Sequence, residues 1–211
     1  EAINGYSVNS IGQGAFYQNQ LISLTIPDSV MIIGAAAFRY NFLTDVAIPN
    51  NVTHISDQSF RDNNLTSVTI GTNVTTIGVR AFENNQLASV AMPDSVTSIG
   101  EYAFSNNQLT SVAIGESVTS IDRNTFSDNQ LTTVTIPDSV KDIGDYAFSR
   151  NQLKTVFIGA NVKSIGSRAF WINQLTSITI PDRVESIGYQ AFLSQQLTSL
   201  TIGNSVSIIG E

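Results

Sequence analysis

Nine phenylalanines recur every 22 residues without a break: Phe16, Phe38, Phe60, Phe82, Phe104, Phe126, Phe148, Phe170 and Phe192. A fixed period of this length restricts the chain to repeat architectures such as solenoids, propellers and arrays. A leucine column keeps step from Leu21 to Leu197, with Val or Leu (Leu24 to Leu200) and Ile or Met (Ile26 to Ile202) following it. A Val column (Val30 to Val206) and an Ile column (Ile33 to Ile209) complete the apolar set. One unit reads L-T-S-V-T-I-[PG]-D-S-V-T-S-I-G-x-x-A-F-x-x-N-Q. Six apolar columns in 22 positions cannot be buried within one unit. Stacked units can share one continuous core, which is the logic of a solenoid.

Within the unit, Leu-x-x-Val-x-Ile ends in alternation and predicts a short strand with Val and Ile inward. The Pro or Gly after it turns the chain. Val-x-x-Ile-Gly predicts a second short strand, and Gly-x-x-Ala-Phe a tight turn or single helical turn that returns Ala and Phe to the core. The fold expected is therefore mainly β, with two short strands per coil. An Asn column (Asn19, Asn41, Asn63, Asn85, Asn107, Asn129, Asn151, Asn173, with Gln195 last) reads as a structural ladder, because buried amides need backbone partners.

The L-x-x-V-x-I-P-x-x-V-x-x-I-G-x-x-A-F pattern resembles the leucine-rich repeats of the BspA type, and the likeness covers nearly all of the chain. The unit is a residue shorter than is usual there, and Asn-Gln fills a region where that family often has Cys. The resemblance implies a secreted or cell-surface protein, of a family in which several members are associated with adhesion to host or matrix proteins. It also implies that the first strand lines a concave face.

The chain is expected to form one solenoid over residues 1–211. Residues 1–20 would be a partial coil, 21–196 eight full coils and 197–211 a second partial coil. At about 4.8 Å per stacked strand the array would be on the order of 40–50 Å long. Ile3 and Tyr6 are expected to close the first coil. Starting and stopping mid-unit predicts either a piece of a longer protein or one that self-associates end to end. Two units depart from the pattern: Ser56 and Asp122 replace Gly, and Ser59 and Thr125 replace Ala. From Gly71 onward the turn residue alternates Gly and Pro (Gly71, Pro93, Gly115, Pro137, Gly159, Pro181, Gly203), which reads as the ancestral trace of a duplicated two-unit block.

A formal charge of −7 and no basic stripe exclude nucleic acid and an anionic membrane surface as natural partners. No run of residues is apolar enough for a membrane span. The absence of Cys removes any disulfide framework. The sequence implies no cofactor, metal site or catalytic constellation. His54 is the only histidine, and the acidic column Asp94, Glu116, Asp138 reads as turn chemistry rather than a cation site.

Function is then left to outward columns. The first-strand face is small and neutral apart from Asp45, Lys154 and Phe157. The two positions after each Phe vary most and form a rim, where Tyr17, Tyr40, Trp171 and Ile172 are aromatic or apolar without being needed for the core. Aromatics of this kind anchor interfaces, and Trp171 and Ile172 are expected to share one apolar patch with Phe157. The expected ligand is an extracellular protein or glycan, held by the concave face and the aromatic rim. The alternatives are a structural spacer and, from the Thr and Ser ranks, an ice-binding solenoid.

Overall fold

A computed structural model describes residues 2–3 and 6–210, with side chains from Ser7 onward. The expected closure by Ile3 and Tyr6 lies outside the described side chains. The described residues form short strands and turns with no helix, stacked as a parallel β-solenoid of 22-residue coils.

The core follows the apolar columns. The rings from Phe16 to Phe192 make one continuous stack, with neighbouring centroids 5.3–5.7 Å apart and planes within 15° of parallel. Phe38 to Phe170 are fully buried. Each such ring contributes about 1.5–3 kcal/mol of burial, plus a smaller term for the aromatic pair.

The Asn column locks one coil to the one before. Asn107 Nδ2 donates to the Phe82 carbonyl of the preceding coil at 3.0 Å and to the Phe104 carbonyl of its own at 3.2 Å. Its Oδ1 accepts the Leu87 N–H at 3.0 Å. The same pattern recurs at Asn41, Asn63, Asn85, Asn129, Asn151 and Asn173. Gln195 makes the two bonds to the preceding coil.

The second strands, two residues each, form two five-stranded parallel sheets: Ser10–Ile11 through Ser98–Ile99, and Ser120–Ile121 through Ile208–Ile209. The break coincides with Asp122. A Cβ added at the neighbouring Gly100 would stand 2.7 Å from the Val79 nitrogen, so this column needs a close coil-to-coil approach. Gly100 and Gly144 donate to the preceding Ile carbonyls at 2.8 and 2.7 Å. Among the described residues Asp122 makes no such bond, because its Cβ holds the coils apart. At Ser56 the hydroxyl substitutes, donating to the Ile33 carbonyl at 2.6 Å, and the sheet continues. The cost there falls on the buried Ser59 hydroxyl, which has no partner among the described residues.

The first strands pair only two by two: Asp45–Ala47 with Ser67–Thr69, Ser89–Ala91 with Ser111–Ala113, Thr133–Thr135 with Thr155–Phe157, and Ser177–Thr179 with Ser199–Thr201. Each pair joins a Pro coil to the Gly coil that follows it. A Cβ at Gly71 would lie 2.5 Å from the Pro49 carbonyl oxygen, so only glycine lets this turn nest beneath the preceding one. The residue before each Pro then reaches across, as Ile48 N–H does to the Thr69 carbonyl at 2.8 Å. The reverse junction sets a proline against a glycine turn, and the strands there remain unpaired. The Gly/Pro alternation is thus more than ancestry, since it fixes a two-coil packing unit.

Candidate functional site: the turn rim

The rim is built by two consecutive turns per coil rather than by a helical turn. In the Gly34–Tyr40 segment, Ala37 and Arg39 donate back to Gly34 and Ala36 at 3.2 Å. The alternate N–H groups of Ala36, Phe38 and Tyr40 donate forward to Asp57, Ser59 and Arg61 of the next coil. This path puts two residues per coil in the left-handed region, the second residue after Gly and the second after Phe. For an ordinary L-residue that conformation costs about 1–2 kcal/mol. Asn and Asp tolerate it best and fill the middle of the second column (Asp62, Asn84, Asn106, Asp128). Tyr40 and Ile172 stand in the same column at φ 57° and 53°, and Ile172, being β-branched, is the outlier.

Near the start of the rim, Tyr17 and Tyr40 meet edge to face with centroids 5.7 Å apart. Arg39 covers one face of Tyr40 at 4.5 Å and donates to its hydroxyl at 3.1 Å. The same guanidinium bonds Asp62 at 3.1 Å and Gln58 at 2.5 Å. Arg61 Nε lies 2.6 Å from Glu83, a charge contact off the N–H direction. Arg80 stacks on Tyr102 and reaches Glu83 at 3.3 Å. An open groove runs beside these groups, bordered by Tyr17, Tyr40, Phe42, Asp62 and amides including Gln18, Asn64 and Asn84.

Further along, Arg168 lies between three rings, Tyr146, Trp171 and Tyr189, at 5.7, 5.5 and 5.4 Å. It donates to the Tyr146 hydroxyl at 2.7 Å and to Gln190 Oε1 at 2.9 Å. The hydrogen bond it donates to Tyr146 holds the guanidinium pKa still higher than usual. Arg150 lies over Trp171 at 5.0 Å, and its carboxylate contact, with Asp128, is a long 3.9 Å. Trp171 is half-buried and Ile172 beside it is 40% exposed.

Of the residues singled out from sequence, Tyr17 and Tyr40 are brought together, and Trp171 neighbours Ile172. Phe157 is not in their patch. It stands 60% exposed on the first-strand face and borders an unpaired junction with Thr179 and Pro181, while Trp171 packs with Tyr146 and the arginines. The strand carries Phe157 away from the turn, so the expected three-residue patch divides. Lys154 is exposed just before that strand, and Asp45 is exposed beside Ser67 in another pair. Arg39 belongs to the variable positions after Phe, whereas the residues that sequence reasoning passed over are Tyr146, Arg168 and Tyr189. Their signal was the variability of the two positions after each Gly. The acidic column bonds across coils, Asp94 accepting the Glu116 N–H at 3.3 Å and Asp138 the Ala160 N–H at 2.6 Å. His54 is exposed and paired with Thr53 at 2.8 Å. Among the described residues no helix is long and apolar enough to cross a membrane.

No curated protein matches the chain in sequence. A leucine-rich repeat protein from Bacteroides ovatus shares its fold with a TM-score of 0.79 at 23% identity, over 98% of this chain and 67% of that one. The pneumococcal vaccine antigen PcpA is similar with a TM-score of 0.53 at 16% identity, over 97% of this chain and 71% of that one. The model of the BspA-type leucine-rich repeat region matches residues 3–110 and 97–211, in six copies. With these matches over nearly its whole length, the chain belongs to the BspA-type leucine-rich repeat family.

Proposed function

We propose that this solenoid is a non-enzymatic, cell-surface adhesion module that recognises an extracellular protein or glycan through its rim. The observation that carries this reading is the cluster of Trp171, Tyr146, Arg168 and Ile172. Trp, Tyr and Arg are the usual anchors of interfaces, and here they gather where the core requires none of them. Ile172 adds a second argument: an exposed, β-branched side chain is kept in a backbone conformation that Asn or Asp would occupy at lower cost. Surface placement is supported by the family and by the antigen that shares the fold.

The test is a screen of the purified domain against extracellular-matrix proteins and a glycan array, with Trp171→Ser alongside. Serine stands in the same column at Ser105, Ser127 and Ser149, so the variant should fold. Binding that is lost in Trp171→Ser supports the reading. No binding anywhere would leave the solenoid as a spacer, and protein binding indifferent to the substitution would remove the Trp171 cluster as its anchor.

A further inference from the structure

The groove beside Tyr17 and Tyr40 differs in chemistry from the Trp171 cluster. We infer that it is a separate binding site for an uncharged oligosaccharide, with Tyr17 and Tyr40 as its platform and the surrounding amides as its hydroxyl-binding groups.

Four observations carry this. The two tyrosines are 42% and 43% exposed and set at 81° to each other, so they form a corner rather than a closed stack. Tyr40 is fixed before any ligand arrives, because Arg39 covers one face, bonds its hydroxyl and is itself held by Asp62 and Gln58. A fixed ring costs little ordering on binding. The charges beneath are already paired: Asp62 lies 3.1 Å from Arg39 and 3.4 Å from Arg61, which leaves little to attract an ion. Apart from Phe42, the remaining lining is amide. Asn84 donates to Asp62 at 2.6 Å and accepts from Asn106 at 2.9 Å, forming a polar ladder along the wall. Among the described residues the amides of Gln18, Gln20 and Asn64 have no side-chain partner.

An occupant suited to this groove carries many hydroxyls and no charge, and it presents an apolar C–H face to an aromatic ring. A neutral sugar chain meets all three requirements. Planar amides donate and accept side by side, which matches adjacent hydroxyls. Phe42, 51% exposed at the groove edge, extends the apolar surface for a further sugar unit.

The inference shares with the reading above only the premise that the rim binds ligands, and it uses none of the residues of the Trp171 cluster. The experiment is calorimetric titration with neutral gluco-, manno- and galacto-configured oligosaccharides, with a uronate oligosaccharide as charged comparator. The proteins are the unsubstituted domain, Tyr40→Asn, Tyr17→Ser and Trp171→Ser. Asn already occupies the Tyr40 column at Asn84 and Asn106, so Tyr40→Asn keeps a residue suited to the left-handed backbone; thermal melts check that it folds. At least one neutral series should bind with an affinity unchanged by salt, fall tenfold or more in Tyr40→Asn and Tyr17→Ser, and persist in Trp171→Ser. Binding of none of the neutral series, binding indifferent to both tyrosine substitutions, or preference for the uronate would overturn it. Loss of protein binding in Trp171→Ser with sugar binding intact would separate the two sites.

Discussion

The two ends of the rim use the same columns of one repeat and reach opposite electrostatic solutions. Around Tyr40, the arginines Arg39, Arg61 and Arg80 are tied to Asp62 and Glu83. Around Trp171, Arg168 is satisfied by a phenol, an amide and three ring faces, with only a long contact from Arg150 to Asp128. The Phe stack and the Asn ladder pass beneath both regions alike. The difference shows that the solenoid separates the residues that hold it together from those free to vary. In the Gly34–Tyr40 segment every N–H from Ala36 to Tyr40 is committed to its own turn or the next coil, so a rim side chain can change without altering the backbone that presents it.

The comparison would break first at the shared scaffold. Phe104→Ala removes a fully buried ring from between the two ends and should cost about 3–5 kcal/mol in denaturant unfolding. Binding at both ends should then fall together under destabilising conditions; loss at one end alone would mean the scaffold is not common to them. The next largest effect is expected from Trp171→Ser, which should weaken protein binding by about 2 kcal/mol or more, the scale of an interface anchor. The same variant should leave the melting temperature nearly unchanged and the Tyr40 groove intact. Asp62→Asn sharpens the electrostatic contrast by releasing Arg39 and Arg61. It should cost about 1 kcal/mol of stability and give the Tyr40 end a salt-dependent affinity for anionic oligosaccharides, measurable by titration at low and high ionic strength. The smallest effect is expected from Ile172→Asn. Relief of the left-handed backbone should stabilise the fold by about 1 kcal/mol, seen as a higher denaturation midpoint, while binding at the Trp171 end weakens.

The sequence made the scaffold legible because each buried contact repeats. Phe, Leu, Val, Ile and Asn columns each correspond to one packing or hydrogen-bonding role, and nine copies average out exceptions. The Asp122 break was visible only as a departure from glycine, since the length of the coil-to-coil approach that glycine permits is a three-dimensional quantity. The same holds for the Gly/Pro alternation, whose pairing of strands depends on a glycine turn nesting beneath a proline carbonyl. The site was less legible. Tyr17 and Tyr40 could be anticipated as neighbours one coil apart. The partnership of Trp171 with Tyr146 and Arg168 could not, because it crosses from the positions after Phe to the second position after Gly. Phe157 shares the apolar character of Trp171 and Ile172, but its strand sets it beside Thr179 and Pro181 instead.

The central claim is that function resides in two separable sites on an otherwise structural stack. Its most direct test is one binding experiment with three proteins, the unsubstituted domain, Trp171→Ser and Tyr40→Asn, applied side by side to immobilised extracellular-matrix proteins and to a neutral glycan array. The account predicts that Trp171→Ser loses protein targets and keeps the glycans, while Tyr40→Asn does the reverse. If all three proteins give the same profile, the rim is not the binding surface and the account is wrong.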